Sequence, residues 1–100
     1  MAVPYYLIVD VRIDDADEYK KYMEAARPLA EKWGGEYLVR GAPFTVYEGD
    51  YFQPRRIALL KFPSKDACEA FYNSPEYQEV RAIRLPVSDM MLVGVDGFEG

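Results

Sequence analysis

"RRIALLKFPSKDACEAFYNSPEYQEVRAIRLP", Arg55 to Pro86, holds the decision about the fold. "RRIALLKF" predicts a strand. Ile57 and Leu59 lie on one of its faces and Ala58, Leu60 and Phe62 on the other, so both faces are apolar. Such a strand needs cover on both sides. "PSKDACEAFYN" then predicts a short helix capped by Ser64, with Ala67, Cys68 and Phe71 inward. Asn73 ends that helix, and Ser74 caps the next. Pro75 suits the first helical position, where a missing N–H costs nothing. The second helix runs to about Arg84, and Leu85-Pro86 stops it.

Outward from this block the pattern repeats. "YYLIVDVRI" (Tyr5 to Ile13) predicts a strand with Tyr5, Leu7, Val9, Val11 and Ile13 on one face. Tyr6, Ile8, Asp10 and Arg12 lie on the other, which turns from apolar to charged. In "DDADEYKKYMEAARPLAEKWGG" Asp15 and Glu18 match a capping box. Tyr19, Tyr22, Met23, Ala26, Leu29, Ala30 and Trp33 recur at helical spacing as the inward stripe. Pro28 predicts a kink or break, and Gly34-Gly35 predicts the end. "EYLVRG" is a strand, and "FTVYEG" (Phe44 to Gly49) is expected to extend it past Ala42-Pro43. "SDMMLVGVDG" is the last strand. The order β-α-β-(β)-β-α-α-β predicts a ferredoxin-like α+β fold over residues 1–100, with a four- to five-stranded antiparallel sheet and helices on one face.

One hundred residues suit a single domain. Half the residues are hydrophobic, which is enough for one core. A net charge of -5 disfavours nucleic acid and anionic membrane. The absence of histidine removes histidine-ligated haem, histidine zinc sites and Ser-His-Asp machinery. No acidic loop has metal-binding spacing, so the reading calls for neither metal nor cofactor. Cys68 is the only cysteine, so no disulfide forms within the chain. With no basic, signal-like start and no apolar run near roughly 20 residues, a cytoplasmic protein is expected. Helices can cover one sheet face only. The second apolar face predicts a homodimer stacked sheet to sheet.

"YLIVDVRIDDADEYKKY", "GGEYLVRG", "VYEGD", "RRIALLKFPSKDACEAFYNSPEYQEVRAIR" and "MLVGVDG" resemble the family known as domain of unknown function 1330 across nearly the whole chain. The resemblance implies a dimeric α+β barrel of ferredoxin-like subunits. It places the chain near cofactor-free monooxygenases and small isomerases of that architecture. The histidines of haem-degrading relatives have no counterpart here.

Three groups are candidates for chemistry. Arg40, Glu48 and Arg56 form either a structural ion pair or an arginine fork for an anion, on faces the sequence turns toward the dimer barrel. Asp10, near Tyr6 and Arg12, is a candidate base or an ion-pair partner of an arginine. Tyr77, Arg81 and Arg84, at i, i+4 and i+7, either close a pocket mouth or anchor the helix while the arginines snorkel over its edge. Asp10 and Tyr77 are the candidate catalytic residues. Tyr6, Arg40, Glu48, Arg56, Arg81 and Arg84 are the candidate ligand contacts. The expected function is a cofactor-free enzyme acting on an acidic or phenolic metabolite. The alternative is a non-catalytic dimeric domain that binds a metabolite or a partner.

Overall fold

A computed structural model describes residues 3–98. Its elements are β1 (Tyr5–Ile13), α1 (Ala16–Lys32), β2 (Glu36–Arg40), β3 (Ile57–Phe62), α2 (Lys65–Asn73), α3 (Pro75–Arg84) and β4 (Ser88–Asp96). The strands form one sheet in the order β2-β3-β1-β4, and every neighbouring pair is antiparallel. This is the ferredoxin-like α+β architecture, with four strands.

Register explains the core. Leu7 stands opposite Leu60 and Gly94, and Val9 opposite Ala58 and Leu92. These residues share the helix-covered face with Val11 and Phe62. That face meets Tyr19, Tyr22, Ala26 and Ala30 of α1, Cys68 and Phe71 of α2 and Tyr77 of α3. The opposite, outer face carries Tyr6, Ile8, Leu59, Met91, Val93 and Val95, the last three exposed.

The caps follow the sequence. Asp15 accepts from Glu18 N, Ser64 from Ala67 N, and Ser74 from Tyr77 N. Ser74 also donates its hydroxyl to Phe71 O at 2.8 Å, so one buried residue closes α2 and opens α3. α1 does not break at Pro28. Pro28 and Glu24 are both exposed, so the Glu24 carbonyl that would have accepted the missing N–H can bond water instead.

Two further expectations are corrected. Phe44 to Gly49 is not a strand: residues 41–56 are irregular and, apart from Pro54 and Arg56, exposed. The sheet holds only β2, β3, β1 and β4, and this segment pairs with none of them. β3 begins at Ile57 rather than Arg55, because the N–H groups of Arg55 and Arg56 bond the Asp10 carboxylate instead of a neighbouring strand.

Ser74→Ala removes the α3 cap and the bond to Phe71 O together. It should destabilise the fold by about 1–2 kcal/mol. Urea unfolding at fixed protein concentration should show a lower midpoint with an unchanged slope.

Candidate functional site

A cavity of about 50 Å³ opens between α1 and the helix-covered face of the sheet. The rear wall is Leu7, Val9, Leu60 and Phe71, and the roof is Tyr19, Tyr22 and Ala26. Met23, Tyr37, Arg40 and Arg56 lie toward the end of the sheet where β2 stops and β3 starts. A void of this size holds a few water molecules.

The placement of Arg40 is a correction. The pairing of β2 with β3 slips between Tyr37 and Val39, leaving Leu38 in a bulge. The extra residue shifts everything after it to the opposite face. Arg40 therefore sits opposite Ala58 on the helix side, its guanidinium 5.2 Å from the Tyr37 ring centre. Arg56 also turns to this side and lines the same cavity. Neither arginine faces the outer surface of the sheet.

The seat of Arg56 is built from both sides. Asp10 Oδ1 accepts from Arg55 N at 2.7 Å and from Arg56 N at 3.1 Å, which pins the backbone. The guanidinium lies against Gly41, where a Cβ would come within 2.5 Å of Nε. Gly41 also has φ of +70°, which disfavours any side chain.

At the inner end the hydroxyls of Tyr22 and Tyr77 are 2.9 Å apart. Arg84 Nη2 donates to Tyr77 Oη at 3.4 Å, and the Arg84 guanidinium is 5.5 Å from the Tyr22 ring centre. Arg84 does not snorkel: it is 5% exposed. It has no carboxylate partner among the described residues, and its Nε is unbonded. Burial alone would lower its pKa, but the phenols of Tyr77 and Tyr22 outweigh this and hold it above the usual arginine value. Its place in the last turn of α3 adds support from the helix dipole.

Burial raises the phenols. Tyr19 is pushed up to about 12, with Arg56 and Arg84 opposing the rise. Tyr22 is raised by burial and then by Tyr77. Tyr37 is raised by burial, against the pull of Arg40. These groups are neutral donors at physiological pH.

The structure thus gathers Arg40, Arg56 and Tyr77 around one cavity and puts Arg84 directly behind Tyr77. It separates the other candidates. Tyr6 and Asp10 lie on the outer face. Glu48 is exposed on the 41–56 segment and pairs with neither arginine. Arg81 is half-buried with its Nε unbonded, away from the cavity. Arg12 pairs with Asp14 and Asp89 rather than Asp10. Burial, with Glu69 adding to it, pushes the Cys68 thiol up to about 11, so it stays protonated. Among the described residues no cluster of three or more His, Cys, Asp or Glu could hold a metal ion.

Spacing had assigned Tyr19 and Tyr22 to the core without a role at a site. One signal was present: tyrosines at positions where leucine would suffice bring hydroxyls that must find polar partners.

The sequence matches the profile of the family described as Domain of unknown function (DUF1330) over residues 4–98, and the chain belongs to that family. Among curated proteins no relative matches it. A solved protein of unknown function from Rhodopseudomonas palustris is 18% identical, with a TM-score of 0.79 over 100% of this chain and 86% of its own. A dimeric ferredoxin-like protein of unknown function from Thermobifida fusca is 20% identical, with a TM-score of 0.65 over 97% and 93%. The cofactor-independent oxygenase SnoaB of Streptomyces nogalater is 8% identical, with a TM-score of 0.70 over 99% and 97%. At these identities the likeness is one of fold. Among the described residues no helix is long and apolar enough to cross a membrane.

The raised phenols fix the sign of an alkaline effect. An acid whose pKa rises on folding contributes stability below its unfolded value near 10, and this is lost as pH climbs through the folded value. Between about pH 10 and 12 the ionisation of Tyr19 should remove about 2–3 kcal/mol. Ultraviolet titration should show part of the nine tyrosines ionising only as the fold opens.

Proposed function

We propose that this chain works as a homodimer in which each subunit's helix–sheet cavity binds a small acidic or phenolic metabolite and polarises one of its oxygens by hydrogen bonding, without a cofactor. The observation that carries this reading is the pair Arg40 and Arg56. Both line an otherwise mainly apolar cavity, and neither has a carboxylate partner among the described residues. Their planar donors suit a carboxylate or phenolate. The apolar part of the ligand would rest on Met23, Tyr19 and Leu60. The Tyr22–Tyr77 pair, backed by the charge of Arg84, would donate to an oxygen on which negative charge develops. Asp10 takes a positioning task in this reading, because its carboxylate is already occupied by Arg55 and Arg56 N–H. At about 50 Å³ the cavity admits such a ligand only if Arg40, which is exposed, swings outward.

The dimer is supported by the outer face. Leu38, Met91, Val93 and Val95 are exposed there or at its edge, and contiguous apolar surface of this kind is uncommon in monomers. The Thermobifida relative is described as dimeric, and SnoaB as a cofactor-independent oxygenase.

Sedimentation should give the mass of two chains at micromolar concentration; a one-chain mass removes the dimer from the reading. In NMR titrations with benzoate, salicylate and a short 2-oxo acid, at least one probe should shift Met23, Tyr19 and Tyr37 resonances. Arg40→Ala should weaken that binding at least tenfold with an unchanged melting temperature. Shifts confined to other surfaces, or loss of the fold with the arginine, would sink the site.

A further inference from the structure

Residues 42–54 leave the end of β2 and return to the start of β3 without packing into their own core. Tyr47 is 93% exposed and Tyr51 is 99% exposed, and Phe44, Val46 and Phe52 are also exposed. Five large apolar side chains on one irregular segment are costly to leave in water. Two features place the segment on the outer-face side of the sheet rather than over the ligand cavity. Its shallow concave side is closed by Ile57, whose register puts it on the outer face with Asp10. Its returning limb, at Gln53 and Arg55, borders Asp10, Arg12 and Met91.

We infer that residues 42–54 form an arm that crosses the dimer and packs its aromatic side chains on the outer sheet face of the second copy. The inference rests on the dimer proposed above and adds what holds it together. Area supports it. The exposed parts of Leu38, Met91, Val93 and Val95 offer roughly 300–400 Å² per chain, whereas a stable interface buries about 800 Å² per partner. Tyr47 and Tyr51 alone bring on the order of 400 Å², so the arm about doubles the apolar area those four sheet residues offer. Charge supports it as well. Glu48 and Asp50 near the arm tip have no ion-pair partner among the described residues. Lys61, on the outer face beside Tyr6, has none either. An acidic arm tip from one copy would give Lys61 of the other a partner of opposite charge. Because the arm starts next to Gly41 and returns to Arg55 and Arg56, packing it on the partner would also brace both sides of the Arg56 guanidinium.

The test replaces Tyr51 with benzoylphenylalanine in the full chain and mixes isotopically heavy and light protein before irradiation. Position 51 touches almost nothing in its own chain, so the fold should survive. Heavy–light cross-links to peptides spanning residues 57–61 or 91–95 are expected. Alongside, Tyr47→Asp combined with Tyr51→Asp should raise the dimer dissociation constant at least a hundredfold, with unchanged circular dichroism. Cross-links within one chain only, or a double variant that dimerises as tightly as the parent, would overturn the arm while leaving the dimer intact. If the parent itself sediments as one chain, the dimer and the arm fall together. Val93→Asp, placed on the sheet, should weaken the dimer without removing the cross-link in the residual dimer; a cross-link that persists in a fully monomeric Val93→Asp protein also overturns the arm.

Discussion

An aromatic chain from Phe62 through Phe71 and Tyr77 to Tyr22 ties the sheet to all three helices. Phe62 stacks on Phe71 with ring centres 5.5 Å apart, Phe71 meets Tyr77 at 4.6 Å, and Tyr77 meets Tyr22 edge-on at 6.4 Å. Each link joins a different pair of elements: β3 to α2, α2 to α3, and α3 to α1. Such contacts contribute about 0.5–1.5 kcal/mol each beyond the area they bury. The two tyrosines at the α3–α1 link also bring hydroxyls into the core. They bond each other, and Tyr77 accepts from Arg84. One structural seam therefore creates the polar end of the candidate site, and the buried charge of Arg84 is tolerated because the seam supplies it with oxygen and ring faces.

The other end of the cavity depends on backbone rather than side-chain packing. A bulge at Leu38 turns Arg40 inward, and Asp10 holds the chain that presents Arg56. Gly41 leaves the space the guanidinium occupies. These devices act from opposite sides of the sheet: Asp10 lies on the outer face, while the arginine it positions serves the inner one. In the proposed dimer, packing on the outer face would reach the proposed binding cavity through Asp10 and the 41–56 segment.

The strands, the three N-caps and the joint at Asn73-Ser74-Pro75 were legible in the sequence because each depends on residues only a few positions apart. Alternation of Ile57 to Phe62 marks a strand with two apolar faces regardless of its partners. A serine three residues before a free N–H predicts its own hydrogen bond. One local reading failed, and one left a choice that the structure narrowed. Phe44 to Gly49 has the composition of a strand, but it lies in an irregular, exposed segment paired with no strand. Pro28 does not end α1, and Glu24, whose carbonyl would have met its N–H, is exposed.

The sequence by itself determined the element order, the single helix-covered face and the apolar character of the face left open, since composition and periodicity specify how each segment partitions between water and core. Only the tertiary structure decided which arginines meet. Arg40 turned inward through one unpaired residue in the β2–β3 ladder, a register effect invisible in side-chain chemistry. Asp10 found its acceptor role with backbone N–H groups more than forty residues away. Arg84, which helical spacing put on the face of Tyr77 as either a pocket-mouth residue or a snorkelling one, was buried because α1 laid Tyr22 beside it. Local rules govern how a segment folds; the partner of a charge is set by what the rest of the chain brings to it.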